Sequence, residues 1–451
     1  MEKSFHNSFP IANELSVRIR SRTAKVGVIG LGYVGLPVVL ACADAGFSVI
    51  GFDVDVWKID LLNSGGSYIR HIRRESIASL RKNGRFTATH DFSRLSDTDV
   101  VLLCVPTPLT PHREPDLSHI LSTTESIATH LRRGQLIILE STTYPGTARE
   151  IMRPILEKSS LQSGIDFFLA YSPEREDPGN PNFATRDIPK VVGGDGSTAL
   201  QLANAFYNEI VSQTVVASSL EVAEAVKLTE NIFRAVNVAL VNELKIVFEA
   251  MGIDVWKVIE AAKTKPFGYM PFYPRPGLGG HCIPIDPFYL SWKARQFNIS
   301  TRLVELAGEV NTSMPQRIVD RAIEVLNARV GLALRGTRVL IIGVAYKKNV
   351  DDTRESPSFK IMEMLEGHGA KVSFCDPFVT QISRIRDHPE FSGRRSVAWE
   401  QSVIASFDLG IICTDHDCVD YKMLLEFCPL VIDTRNVCGR RGLAAQHLIK
   451  A

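Results

Sequence analysis

The stretch Ala24-Lys25-Val26-Gly27-Val28-Ile29-Gly30-Leu31-Gly32-Tyr33-Val34-Gly35 is an apolar run that ends in a Gly-x-Gly-x-x-Gly turn. The run reads as a buried parallel strand, and Gly35 to Ala45 beyond it as a helix. In such a unit Gly30 permits the turn, Gly32 lets a pyrophosphate approach, and Gly35 lets the helix pack on the strand. Free N–H groups and the dipole at the helix N-terminus favour the phosphates' negative charge. A second strand, Phe47 to Asp53, ends in an acid about 20 residues further on, suited to accept hydrogen bonds from ribose hydroxyls. Alone the glycine pattern is weak; between a strand and a helix, with Asp53 following, it predicts an NAD site rather than an NADP site. Lys58 lies near enough to complicate that preference, the alternative being a solvated helix residue.

Further buried strands are expected at Asp99–Val105, Gln135–Glu140, Lys190–Gly194 and Gln213–Val216, alternating with helical stretches. Strand–helix alternation implies a doubly wound parallel sheet. The pattern restarts near Arg335, with strands at Thr337–Gly343, Lys371–Asp376, Asp408–Thr414 and Leu430–Thr434. The expected fold is therefore α/β, with two Rossmann-like doubly wound parallel-sheet domains. The second lacks the triple glycine and should hold a different ligand. Between them, Ser219 to about Met251 carries apolar residues at helical spacing with no proline and no glycine before Gly252. This predicts one long helix of roughly 30 residues, about 45 Å, joining the domains and packing against a copy of itself.

The chain has 451 residues, 45% hydrophobic and 22% charged, as in ordinary globular proteins with two or three domains. A formal net charge of +1 gives no bulk electrostatic case for nucleic acid or a membrane surface. The eight cysteines form no Cys-x-x-Cys pair, so neither a zinc site nor any other metal is expected, and a reducing cytosol is the expected compartment. Met1 to Arg22 holds no signal-like apolar run, and no segment has transmembrane length.

Chemistry concentrates in a few places. Pro276-Gly277-Leu278-Gly279-Gly280-His281-Cys282-Ile283-Pro284-Ile285-Asp286 presents one thiol from a glycine-rich loop, four residues before a carboxylate. A thiol so placed can attack a small electrophile; the alternative is a cysteine packed as a small hydrophobe. Lys227, Asn231 and Arg234 share one face of the long helix. A lysine in a low-dielectric cleft serves as acid, base or oxyanion partner, while a solvated stripe is the commoner fate. Ser172-Pro173-Glu174-Arg175 follows the strand Phe167–Tyr171, past the carboxyl end where sheet ligands bind; otherwise it is a charged surface turn. Lys347 and Arg354, after the first strand of the second domain, suggest phosphate or cofactor contact, or an ordinary charged loop.

Together these residues resemble the UDP-glucose/GDP-mannose dehydrogenase family over nearly the whole chain, from about Lys25 to Ala451. The marks are Gly30–Pro37, the Ser172-Pro173-Glu174 turn, Lys227 with Asn231, and Gly279-Gly280-His281-Cys282. Residues 172–180, 265–268 and 279–287 are most similar to the bacterial branch that oxidises UDP-N-acetylglucosamine for O-antigen synthesis. Pro178 and Ile285 stand where UDP-glucose enzymes carry a second glutamate and a lysine, which weakens the case for UDP-glucose. The resemblance implies Cys282 as nucleophile, Lys227 and Asn231 as oxyanion donors, and Asp286 as the group orienting the cysteine–lysine pair. Thr142 and Glu174 then position water and substrate. It assigns Tyr33, Val34, Asp53, Lys58, Thr107 and Thr142 to NAD, beside Gly30, Gly32 and Gly35, with Arg354 reaching in from the second domain. Arg175, Arg234, Lys265, Phe267, Tyr273, Gly279, Tyr346, Lys347 and Arg435, with Glu174, Lys227 and Asn231, fall at nucleotide-sugar positions.

The expected organisation is an N-terminal extension (1–23), an NAD-binding domain (24–216), a central helical and dimerisation region with the cysteine loop (217–330), and a UDP-sugar domain (331–451). The implied reaction is NAD-dependent four-electron oxidation at C6 of UDP-N-acetylglucosamine by a cytoplasmic homodimer, with a higher oligomer as the alternative. UDP-N-acetylgalactosamine, UDP-N-acetylmannosamine and UDP-glucose are alternative substrates. A two-electron hydroxyacid dehydrogenase would need no cysteine and no second α/β domain. A non-catalytic NAD sensor would have no reason to keep Cys282 and Lys227.

Overall fold

In the computed structural model the chain is described over residues 10–69, 72–110, 112–175, 185–280, 285–383, 385 and 388–451. It divides into two compact units: Met1–Glu230 with Phe288–Ile299, and Asn231–Pro287 with Ser300–Ala451.

The first unit carries a sheet of eight strands among the described residues. These are β1 (Lys25–Ile29), β2 (Ser48–Phe52), β3 (Phe86–Thr89), β4 (Val100–Leu103), β5 (Leu136–Leu139), β6 (Phe168–Tyr171), β7 (Lys190–Gly194) and β8 (Thr214–Val216). Their order is β3-β2-β1-β4-β5-β6-β7-β8. The chain reverses direction across the sheet between β1 and β4, which opens a crevice at their carboxyl ends where dinucleotides bind. Every pairing is parallel except β6 with β7, where Tyr171 faces Gly193 in antiparallel register. Alternation explains the apolar runs. Val100 and Leu102 feed the core on one face, Val101 and Leu103 the core on the other. Helices cover both faces, so no strand position can be polar without a partner.

The second unit repeats the plan with β9 (Arg338–Ile342), β10 (Lys371–Cys375), β11 (Leu409–Ile412), β12 (Val431–Asp433) and β13 (Leu448–Lys450), all parallel, in the order β10-β9-β11-β12-β13. Val339 and Ile341 point to one core, Leu340 and Ile342 to the other.

The expected long helix is present as Leu220–Ala250, 31 residues. A second long helix, Arg302–Val330, was not read from the sequence because Pro315 lies inside it. Proline removes a backbone donor and normally ends a helix; here Met314, Ile318, Val319 and Ala322 are buried on both sides of it and hold the helix together. The N-terminal extension holds a helix, Pro10–Arg20, whose Ala12, Leu15 and Ile19 enter the core of the first unit. Arg18 pairs with buried Asp99 at 2.6 Å. Among the described residues no helix is long and apolar enough to cross a membrane.

Candidate active site

Two of the three glycines of the first turn are required by the chain itself, and the third leaves room. Gly30 has φ +89°, and a Cβ there would lie 2.5 Å from the Cys104 carbonyl oxygen. A Cβ at Gly35 would lie 1.8 Å from the Gly30 carbonyl oxygen, so only glycine lets the helix Gly35–Asp44 start this close to β1. Gly32 faces open space, with nothing within 4 Å of a built Cβ. That clearance, at a helix N-terminus beside the crevice, fits a dinucleotide pyrophosphate.

Asp53 lies just past β2 and is 7% exposed. One carboxylate oxygen accepts the Leu31 N–H at 3.0 Å, the other the Asp55 N–H at 2.9 Å. The acid is thus tied to the glycine turn it serves, with lone pairs left for a ribose. Lys58 Nζ, its side chain 30% exposed, sits 3.4 Å from the same carboxylate. Tyr68 donates to the Leu31 carbonyl, a contact that no motif announced. Tyr33 and Val34 pack partly buried on the core below. Thr107 and Thr142 follow β4 and β5; Thr107 is buried and Thr142 half-buried.

After β6, Ser172 Oγ donates to the Val191 carbonyl at 2.8 Å. Arg175 reaches the Pro189 carbonyl and Glu230, both at 2.6 Å. Glu174 pairs with Lys190 at 3.0 Å, and Lys190 pairs with Glu140 at 2.9 Å. Tyr207 donates to Glu140 at 2.5 Å. Burial raises the pKa of Glu140, with Lys190 opposing. Burial would depress the Lys190 amine, but the two carboxylates outweigh it and hold its pKa above the ordinary lysine value. Sequence reading missed Glu140, Lys190 and Tyr207; the available signal was an acid and an amine bordering otherwise apolar strands. Residues 176–184 lie outside the described residues.

On the helix Leu220–Ala250, Lys227 is 9% exposed and Asn231 4%, whereas Arg234 is exposed. Of the three residues expected on this face, two are buried and one is exposed. In the second unit, the Asn231 side-chain amide donates to Asp286, itself 3% exposed. His281 to Pro284, including the expected nucleophile Cys282, lie outside the described residues.

The glycine loop before them packs on the loop after β9. The Gly280 N–H donates to the Arg354 carbonyl at 3.2 Å, and a Cβ at Gly279 would lie 2.8 Å from Tyr346 Cβ. Two clusters separated by more than 60 residues of sequence, one at Gly279 and one at Tyr346, Lys347 and Arg354, are thereby brought together. The Arg354 guanidinium is held by Asp352 at 2.6 Å. Arg435 pairs with Asp415 at 3.0 Å; burial would raise the pKa of that acid, but Arg435 and Arg440 keep it low. Tyr273 donates to Glu260 at 2.8 Å and stacks on Trp256. Lys265 and Phe267 are exposed and form a cation–π pair, 5.2 Å from amine to ring centroid.

Asp376, after β10, is the counterpart of Asp53. Its carboxylate accepts from the Val344, Ala345, Phe378 and Val379 N–H groups and lies 3.1 Å from His416 Nε2. An acid saturated by its own loops has little left for a ribose, which agrees with a different ligand in this unit.

Comparison with known proteins follows the same division. The NAD binding domain of the UDP-glucose/GDP-mannose dehydrogenase family matches residues 24–211, its central domain residues 221–313, and its UDP binding domain residues 340–440. A UDP-N-acetyl-D-glucosamine 6-dehydrogenase of Pseudomonas aeruginosa is 38% identical over 367 residues, covering 81% of this chain and 85% of that one. A second, of Salmonella typhi, is 34% identical, covering 79% and 82%. The solved structure of a UDP-D-ManNAc dehydrogenase from Pyrococcus horikoshii superposes with a TM-score of 0.82 at 31% identity, covering 92% of this chain and 96% of that one. With a glycine turn and acid that fit NAD, and all three family domains in order, the chain belongs to the UDP-glucose/GDP-mannose dehydrogenase family and is an NAD-dependent UDP-sugar dehydrogenase.

Proposed function

We propose that the substrate is UDP-N-acetyl-D-glucosamine, oxidised at C6 to the uronic acid through covalent intermediates on Cys282. The observation that carries the reading is the pairing of buried Asn231 with Asp286, four residues beyond Cys282 in sequence. An amide fixed by a carboxylate in a water-poor place is a preorganised donor for an oxyanion. The Pseudomonas and Salmonella relatives are UDP-N-acetyl-D-glucosamine 6-dehydrogenases, which supports N-acetylglucosamine as the substrate here.

Bound NAD, held by the glycine turn, Asp53 and Lys58, supplies the hydride acceptor in each of two oxidations. The first converts the C6 alcohol to an aldehyde. An aldehyde has no alkoxide to expel hydride, so the Cys282 thiolate adds to its carbon and creates one. Lys227 and Asn231 donate to that oxygen; losing one such donor typically costs about 10²–10³ in rate. The second oxidation leaves a thioester, and water guided by Thr142 and Glu174 releases the carboxylate. Asp286 orients the cysteine–lysine pair. Arg175, Tyr346, Lys347 and Arg435 hold the nucleotide sugar. The reading places this chemistry in the cytoplasm, supplying surface polysaccharide such as O-antigen.

Cys282 has few rivals as nucleophile. Burial pushes up the thiols of Cys42, Cys104, Cys375, Cys413, Cys428 and Cys438, which suppresses the reactive thiolate. We further propose a homodimer through the central helix, where Phe233, Leu240 and Val247 recur every seven residues and are 51%, 54% and 47% exposed.

The test is a panel of UDP-sugars assayed for NADH formation. UDP-N-acetylglucosamine should give the highest kcat/KM; a clear preference for the manno or galacto epimer, or for UDP-glucose, refutes the substrate assignment. Cys282→Ala should abolish acid formation while retaining NAD binding, and unimpaired turnover would exclude covalent catalysis.

A further inference from the structure

The second unit holds a cavity of about 470 Å³, lined by none of the residues given a task above. That volume falls within the range of small-molecule sites, about 300–1,000 Å³. Its walls come from the end of the helix Leu220–Ala250, the middle of the helix Arg302–Val330, and Ala451 just past β13. Ile246, Met314 and Ile318 make the apolar part. Lys245, Arg317 and Arg321 bring cations to it; Glu249, Asp320 and Glu324 bring acids.

The acids are engaged. Arg321 holds Glu324 at 2.7 Å and Glu249 at 3.4 Å, the second pair tying the two helices together. Asp320 accepts from the Gln316 side-chain amide at 2.7 Å. Lys245 and Arg317 are not engaged: among the described residues neither has a hydrogen-bond or ion-pair partner. Arg317 is exposed, where water serves a guanidinium well. Lys245 is 9% exposed. A long lysine stem usually carries its amine out to water, and this one stays inside, at the cavity wall. A buried ammonium without a partner costs stability. Burial lowers the amine's pKa to about 8; Glu249 opposes from beyond ion-pair reach, and Arg321 and Arg317 reinforce. At neutral pH most of the amine is therefore still charged, and an anion beside it would remove the penalty.

We infer that this cavity is a binding site for a small phosphate dianion, free or as a monoester, held by Lys245 and Arg317. A phosphate offers at least three acceptor oxygens, so the Arg317 fork can take two and the Lys245 amine a third. Its two negative charges answer the two unengaged cations, with Arg321 adding charge from the same helix as Arg317. A carboxylate has only two oxygens and one charge, and leaves a donor unmet. Ile246, Met314 and Ile318 provide an apolar wall for the organic part of an ester. The site is separate from the sugar chemistry and does not depend on which UDP-sugar is oxidised.

Thermal unfolding of the full-length protein at pH 7, titrated with inorganic phosphate at constant ionic strength, tests the inference. A ligand that binds only the folded state raises the midpoint in a saturable way. The glycine turn of the first unit also attracts phosphate, so NAD is kept saturating and the variants carry the test. Lys245→Met and Arg317→Ala each remove one charged donor, and the phosphate needed for half the effect should rise about 10- to 100-fold, as for loss of a hydrogen bond to a charged group. Neither variant endangers folding, since one relieves a buried charge and the other is at the surface. Lys360→Met, an exposed lysine on the helix Pro357–Gly367, should leave the titration unchanged. Phenyl phosphate acting at lower concentration than phosphate assigns an ester; the reverse order assigns the free ion, and both support the site. No saturable rise in wild type, the same titration in Lys245→Met, loss of the effect in Lys360→Met, or succinate acting as well as phosphate would each overturn the inference.

Discussion

Asp53 ties the glycine turn to its own loop, and a conservative substitution tests its proposed part in binding NAD. Its two oxygens accept the Leu31 and Asp55 N–H groups, which only a carboxylate can do symmetrically. In Asp53→Asn, one side of the amide would turn its own N–H toward a backbone N–H. A hydrogen bond to a charged group is worth about 1.5–3 kcal/mol, so NAD affinity in titration calorimetry should fall about 10- to 100-fold; unchanged affinity would remove Asp53 from the site. At this scale the sequence was informative where a residue type has few uses. Gly30, Gly35 and Asp53 could be named because a turn, a close approach and a strand-end acid each demand a particular residue. Lys190 and Tyr207 could not, because their meaning comes from a strand reversal that no local pattern reveals. Arg234, set by helical spacing beside Lys227 and Asn231, is exposed where those two are buried, because a helix face is wide enough for its edge to be wet.

At the scale of elements, the helix Leu220–Ala250 contributes both buried and exposed faces to the second unit. Lys245 is 9% exposed near Arg317 and Arg321, and burial lowers its amine pKa to about 8, with Glu249 opposing and the two arginines reinforcing. An amine whose folded pKa lies below its unfolded value, about 10.4, binds its proton more weakly when folded. Stability therefore rises with pH between about 8 and about 10.4, and the penalty is full below that window. Lys245→Met should be more stable than wild type at neutral pH by up to about 3 kcal/mol, with the advantage shrinking as pH rises through the window. A constant difference in denaturant midpoint across that range would contradict the assignment. On the exposed face, Leu240→Glu places a charge where a monomer would not notice it and a dimer would. Sedimentation should give a dimer for wild type and a monomer for the variant; a monomeric wild type would end the dimer proposal. The long helix was legible because nothing interrupts its apolar spacing. Its neighbour Arg302–Val330 was hidden by Pro315, a local signal that tertiary packing overrides.

For the molecule as a whole, two sheets with different switch points carry different ligands because their strand-end acids differ in what they have left to offer. Asp53 keeps lone pairs for a ribose, whereas Asp376 spends its own on four backbone N–H groups and His416. The architecture was readable because a buried parallel strand is almost wholly apolar and each restart of the pattern is visible. The proposed catalytic residues were less so, since Lys227, Asn231 and Asp286 are scattered in sequence. The central claim is that one site performs both oxidations before releasing product. It is tested most directly by counting NADH against uronic acid formed from UDP-N-acetylglucosamine: the account predicts two NADH for each acid with no free aldehyde, and one NADH per product, or aldehyde accumulating in solution, would contradict it.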